Sequence, residues 1–236
     1  MSLDKKIVVF TGAGMSQESG ISTFRDSGGL WEQYRIEDVA TPEAWGRDPE
    51  LVLKFYNERR RQIINAKPNE GHKMLASLQE KFEVKIITQN IDDLHERAGS
   101  KSVVHLHGEI LKSRSSVNPK LIYQLNKDKE IKIGDRCEKG SQLRPHIVWF
   151  GEDVPMMSEA IEITSLADIF VIIGTSLNVY PAAGLIQYAP KYCPKYLIDP
   201  GDFSTHLLGD VTQIKETAST GIKSFVAALE SMQGAN

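Results

Sequence analysis

The 236-residue sequence predicts an α/β fold, a Rossmann-like doubly wound parallel sheet carrying a small inserted lobe. Three observations lead there. Four predominantly apolar runs, KIVVF (6–10), VKIIT (84–88), IFVIIG (169–174) and YLID (196–199), read as strands covered on both faces. Each gives way to small or polar residues, and most precede helical spacing, the alternation that builds a parallel sheet. Between residues 111 and 144 the pattern lapses into polar, basic sequence, which marks an insertion. The expected division is therefore a sheet domain of 1–110 and 146–236 and a lobe of 111–145.

Composition narrows the class. With 41% hydrophobic and 25% charged residues the chain matches ordinary globular proteins. No apolar run is long enough to span a bilayer, and a strand-like run by Ile7 leaves no room for a signal peptide. Two cysteines, Cys137 and Cys193, argue against a disulfide framework and fit a reducing compartment, so the expected location is cytoplasmic. A net charge of −3 argues against general nucleic-acid affinity. The charge is uneven, however: residues 111–144 hold nine Lys/Arg against four Asp/Glu, a net of +5 that leaves −8 elsewhere. That lobe is either a solvated insertion or a surface that steers an acidic partner.

In a doubly wound sheet the ligand lies beyond the carboxyl ends of the strands, so the segments that follow the strands carry the information. After the first strand comes TGAGMSQESG. Gly12 and Gly14 permit close backbone approach to a ligand, and the helix start beyond them offers free N–H groups to an anion. Ser16 and Ser19 suit either a helix cap or phosphate oxygens. A tight strand-to-helix turn is the alternative. The third glycine of the hydride-transfer fingerprint is replaced by Gln17, which argues against a dehydrogenase. Phe24 and Arg25, in the Gly/Ser-rich stretch STFRDSGGLW, have the makings of a flap, an aromatic cover with a cation for diphosphate.

The helical segment PELVLKFYNERRRQII follows. At about 100° per residue, Val52, Phe55, Tyr56, Arg59 and Ile63 share one face, while Arg60 and Arg61 turn progressively away. An arginine within an apolar stripe needs an anion, and Tyr56, three residues before it, adds a phenol beside the guanidinium fork. The alternatives are that Arg59 snorkels outward or pairs with an internal Asp or Glu.

TQNIDD places Gln89, Asn90 and Asp92 at the end of the second strand, as pocket amides and a carboxylate or, for Asp92 or Asp93, as a helix cap. SVVHLHGE (102–109) is a further strand candidate, with His105 and His107 on one face. A His-x-His pair can bind metal, but no third ligand stands at a supporting spacing. Beside glycine at a strand end, His107 is the better general-base candidate. The tail GIKSFVAALESM has helical spacing at Ile222, Phe225, Val226 and Leu229, as expected of a helix packed on the sheet.

Taken in order, GAGMSQESGISTFRDSGGLW, TQNIDDLH, HLHGE, RPHIVWFGE and GTSLNVYPAAGL resemble the sirtuins, NAD-dependent protein deacylases, from about residue 5 to 230. The resemblance implies NAD as cofactor and acyl-lysine proteins or peptides as substrates, with nicotinamide and O-acyl-ADP-ribose released. It assigns His107 as general base and Asn90, also catalytic, with Ile91 and Asp92 to the nicotinamide pocket. Gln89 would contact ribose, and Gly12, Ala13, Gly14, Ser16, Phe24, Arg25 and Trp31 belong to the cofactor loop. Gly174, Thr175 and Ser176 would hold the adenosine side, with Asp199 and Ala218 as further contacts. Ile147–Glu152, including Val148, Phe150 and Gly151, would pair with the substrate backbone by strand addition. Tyr56 and Arg59, with the small Ala40, match the sirtuins that remove succinyl and malonyl groups. The alternatives are ADP-ribosyl transfer or NAD hydrolysis at the same site, or a non-catalytic sensor of NAD metabolites. A monomer is expected.

The lobe departs from the family. Most sirtuins carry two Cys-x-x-Cys pairs there for a structural zinc. LKSRSSVNPK has no cysteine and GDRCEKGSQ only Cys137, too few thiols for a four-ligand site, so no zinc is expected. The lobe must then be held by packing of Leu121, Ile122, Tyr123, Leu125, Ile131 and Ile133, with PKLIYQL as a helical turn and IKI as a short strand. It should be less stable than a metal-bearing one.

Overall fold

The computed structural model describes residues 5–22, 34–175, 177, 179–201 and 210–234. The main sheet joins β1 (Lys6–Thr11), β2 (Glu83–Thr88), β3 (Val103–His105), β7 (Ile169–Ile173), β8 (Lys195–Ile198) and β9 (Val211–Ile214) in the order β3-β2-β1-β7-β8-β9. Every pairing is parallel. The four apolar runs are four of these strands. Edge strand β9, VTQI, is too short and polar to read as a buried strand.

Alternation within the strands builds two cores. Ile7, Val9, Ile86, Val171 and Ile198 face α5 (Glu70–Leu78) and α8 (Ala218–Gly234), with Leu75, Ile222, Phe225 and Leu229 packed between them. Val8, Phe10, Ile87, Phe170 and Ile172 face the opposite layer, which includes Ala160 of α7 (Met157–Ser165) and Leu185 of the 3-10 helix Ala182–Tyr188. Both faces being covered explains why these strands lack the polar alternation of a half-exposed sheet.

SVVHLHGE is not one strand. β3 ends at His105, Leu106 and His107 turn, and β4 (Gly108–Ser115) begins at Gly108 with φ +84°. A Cβ at Gly108 would lie 2.1 Å from the His146 carbonyl oxygen, so glycine permits the reversal. His105 and His107 therefore do not share one strand face. Instead β4 starts a second, antiparallel sheet, ordered β5-β4-β6, with β5 (Ile122–Gln124) and β6 (Leu143–Ile147).

Two local expectations for this region fail. Residues 122–124 are a strand, not a helical turn, because they pair with Lys112–Arg114; residues 131–133 form no strand. Ile122 and Ile133 are exposed, while Leu125 and Ile131 pack with Cys137, Leu143 and Leu53 of the long helix α4 (Pro49–Asn65). α4 also stitches the segment 126–131 by polar contacts. Arg60 donates to the carbonyls of Asn126, Lys127 and Lys129, and Asn57 exchanges hydrogen bonds with both backbone groups of Ile131. Arg60 does turn off the apolar stripe, yet it is buried, because the lobe covers that side of the helix.

Candidate active site

The strand order reverses between β1 and β7, and the loops after β1, β2, β7 and β8 converge there on one cleft of about 490 Å³. The loop after β1 lies against the loop after β7: Gly12 N donates to the Ile173 carbonyl at 2.9 Å and Gly14 N to the Gly174 carbonyl at 2.8 Å. A Cβ on Gly12 would meet Thr175 Cβ at 2.6 Å, and one on Gly14 would meet Gly174 Cα at 2.7 Å. These glycines permit close loop-to-loop approach, and both also line the cleft. Helix α1 (Gly14–Gln17) spans only four residues and ends before Gly20, at φ +81°.

Ser16 is the centre of the polar wall. Its hydroxyl donates to Asp92 Oδ2 at 2.9 Å and accepts from Asn90 Nδ2 at 3.1 Å, while Asn90 Nδ2 also donates to the Gly12 carbonyl at 3.0 Å. Asp92 Oδ1 accepts from Leu94 N at the start of the short helix α6 (Leu94–Arg97), whose N-cap position is Asp93 with no side-chain cap hydrogen bond, so Asp92 lines the cleft and braces the helix start without capping it. Burial pushes its carboxyl above the ordinary range, opposed by the Leu94 and Ser16 hydrogen bonds and by the charge of His105. Beneath lies a relay with no sequence signal: His95 Nε2 to Thr11 Oγ1 at 3.1 Å, Thr11 to Thr88 Oγ1 at 2.8 Å, and Thr88 Oγ1 accepting from Asn90 N at 3.0 Å.

His107 lines the cleft with its Nδ1–H donating to the Gln89 carbonyl at 3.1 Å, which fixes the tautomer and leaves a lone pair on Nε2. Burial lowers its pKa below the ordinary histidine value, offset in part by that hydrogen bond. Gln89 Nε2 donates to Thr175 Oγ1 at 2.9 Å, tying the second strand's loop to the seventh's.

At the far end stand Ala40, Tyr56, Arg59, Ile63 and Trp149. Arg59 is 7% exposed, so it does not snorkel, and it has no ion pair among the described residues. Its Nη2 donates to the Ser22 carbonyl at 2.9 Å, and its buried Nε has no partner among the described residues. Burial pulls its pKa down, opposed by the fields of Asp92 and Tyr56; burial raises that of the Tyr56 phenol. Trp149, within the predicted Ile147–Glu152 segment, neighbours both side chains: Arg144 lies 3.3 Å from its ring centroid and Tyr56 6.4 Å, ring to ring.

β6 ends at Ile147, and the residues beyond it turn. Val148 N donates to the His107 carbonyl, Trp149 N to Glu152 Oε2 and Phe150 N to the Ala40 carbonyl, so Ile147–Glu152 is no open strand edge. Val148, Phe150 and Gly151 nevertheless line the cleft, as do Ala13, Ile91, Gly174, Asp199 and Ala218. Phe24, Arg25, Trp31 and Ser176 lie outside the described residues.

The Sir2 family model matches residues 12–181. The chain belongs to the Sir2 family. This Sir2 chain is 56% identical over 223 residues to an NAD-dependent protein deacylase of Bacteroides thetaiotaomicron, covering 93% of this chain and 95% of that one. It is 50% identical over 228 residues to an NAD-dependent protein deacylase of Helicobacter pylori, covering 97% and 99%. The solved complex of a Sir2 homologue with NAD superposes with a TM-score of 0.85 at 37% identity, covering 97% of this chain and 90% of that one.

The cleft's donor set fits such a dinucleotide: side-chain amides at Gln89 and Asn90 and hydroxyls at Ser16 and Thr175 beside apolar walls. Among the described residues no group of three or more His, Cys, Asp or Glu could hold a metal, and the Cys137 thiol instead sits 3.0 Å from the Ser141 hydroxyl, itself 2.7 Å from that of Ser115. No described helix is long and apolar enough to cross a membrane.

Proposed function

We propose that this Sir2-family chain is an NAD-dependent lysine deacylase that removes acetyl groups and, through Tyr56 and Arg59, the carboxylate-bearing succinyl and malonyl groups. Bound NAD supplies an electrophilic ribose carbon whose leaving group is nicotinamide. Asn90 and Asp92, locked by Ser16, would provide an amide and a carboxylate for the nicotinamide end, and Gln89, anchored on Thr175, would hold the ribose. His107 Nε2 takes the proton of a ribose hydroxyl, since Nδ1 is committed to Gln89. With one water consumed per turnover, the products are nicotinamide, free lysine and O-acyl-ADP-ribose.

The observation that carries the acyl assignment is Arg59: a buried cation on the cleft wall with no ion-pair partner among the described residues. A charge in that position is costly unless an anion meets it, and the carboxylate of a dicarboxylic acyl group is such an anion. Beside it, Ala40 leaves room for the longer chain. Residues 111–145 act as a zinc-free lobe, and the enzyme works as a cytoplasmic monomer. The test is to incubate the protein with NAD and matched acetyl-, malonyl- and succinyl-lysine peptides and weigh the products. Nicotinamide release with acyl transfer supports the reading; ADP-ribosylated peptide, or NAD hydrolysis indifferent to the peptide, supports its alternatives.

A further inference from the structure

His105, not used in the chemistry above, sits where it controls the loop that is. The segment 105–110 engages four consecutive carbonyls, running from the last residue of β2 into the loop that follows. Leu106 N donates to Thr88 at 2.9 Å, His107 Nδ1 to Gln89 at 3.1 Å, His105 Nδ1 to Asn90 at 3.0 Å and Ile110 N to Ile91 at 2.9 Å. Two of these four bonds come from imidazoles, so the loop's position depends on their protonation as well as on backbone.

We infer that His105 and Glu96 form a positioning pair, in which an imidazolium bridges the Glu96 carboxylate and the Asn90 carbonyl and holds Asn90 and Asp92 in register with His107. A carbonyl only accepts, so Nδ1 of His105 carries a proton. Nε2 lies 2.8 Å from Glu96 Oε1, an acceptor that demands a second proton. With Glu96 ionised, as its lowered pKa favours, both ring nitrogens donate and the ring is a cation. The charges around it come from three elements: Glu96 on α6, Glu109 on β4, which is paired with Lys112 at 2.6 Å, and Asp92 in the loop. His95, also on α6, is buried and held well below the ordinary histidine value by burial, so it adds no competing positive charge near neutrality. Burial acts against the charged His105 ring, but Glu96, the Asn90 carbonyl and Glu109 outweigh it and raise the pKa.

The pair does two things for the proposed deacylase, on whose assignment its catalytic role rests. It clamps the main chain of Asn90, and its positive field favours the ionised form of buried Asp92. Because the folded pKa is raised, the clamp is complete below the ordinary histidine value and is lost as pH rises through the folded value. Activity should thus carry an alkaline limb that belongs to His105.

The experiment pairs ¹⁵N-imidazole NMR titration of the unliganded protein with kinetics of Glu96→Gln, His105→Gln and His105→Leu. Glu96 has a side chain 41% exposed, so its isosteric replacement is structurally mild. Expected for wild type is a His105 midpoint above the ordinary histidine value, and a lower midpoint in Glu96→Gln. The alkaline limb of kcat/KM for NAD should shift with it. KM for NAD should rise about fivefold to tenfold in His105→Leu, less in His105→Gln, whose amide still donates to Asn90, and KM for the peptide should stay constant. A His105 midpoint at or below the ordinary histidine value, or identical kinetics for the Gln and Leu variants, overturns the inference. If wild type releases no nicotinamide, the deacylase reading fails while the NMR titration still decides the ion pair.

Discussion

Replacing Arg59 by methionine isolates the acyl-recognition argument. Methionine keeps most of the volume but removes the fork that would hold a terminal carboxylate. Hydrogen bonds to charged groups contribute about 1.5–3 kcal/mol each, and a fork makes up to two, so with part of the loss recovered by relaxation about 3–4 kcal/mol is expected. At about 1.4 kcal/mol per tenfold, kcat/KM for succinyl and malonyl peptides should fall roughly 10²–10³-fold. An acetyl group does not reach for the fork, so its kcat/KM should stay within about threefold. Stability should change little, because removal of a buried guanidinium bonded only to Ser22 among the described residues also removes its desolvation cost. The assay is steady-state kinetics on matched peptides followed by mass, with a thermal melt of each variant. Equal losses on acetyl and succinyl substrates, or a selective loss on acetyl, would remove Arg59 from the acyl pocket.

His107→Ala should abolish deacylation at an unchanged melting temperature, and the wild-type acid limb should lie below the ordinary histidine value, because burial lowers the His107 pKa and the base acts when neutral. An acid limb above pH 7 would count against that role. Arg60→Met withdraws the donor from three lobe carbonyls and should cost about 2–4 kcal/mol, visible as faster amide exchange across residues 126–133. Elemental analysis should find well under 0.1 equivalent of zinc (about one for a metal-held lobe), and chelators should leave the melting curve unmoved; a full equivalent would refute the zinc-free lobe.

The sequence by itself marked the sheet and the cleft wall. Strands buried on both faces need continuous hydrophobicity, and a doubly wound sheet gathers whatever follows its strands at one edge, so Gly12, Gln89, Asn90, Asp92, Thr175 and Asp199 meet there without long-range information. The same local logic marked Tyr56, Arg59 and Ile63, because a helical period reports which residues share a face. What covers the other faces is not local. Only the tertiary structure decided that Arg60 lies under the lobe, that a turn at Leu106 and His107, permitted by Gly108, takes His107 off the strand that ends at His105, and that the glycines of the first loop lie against Gly174 and Thr175. Those outcomes depend on backbone contacts between segments tens of residues apart, and periodicity along one element carries no record of the segment that will pack against it.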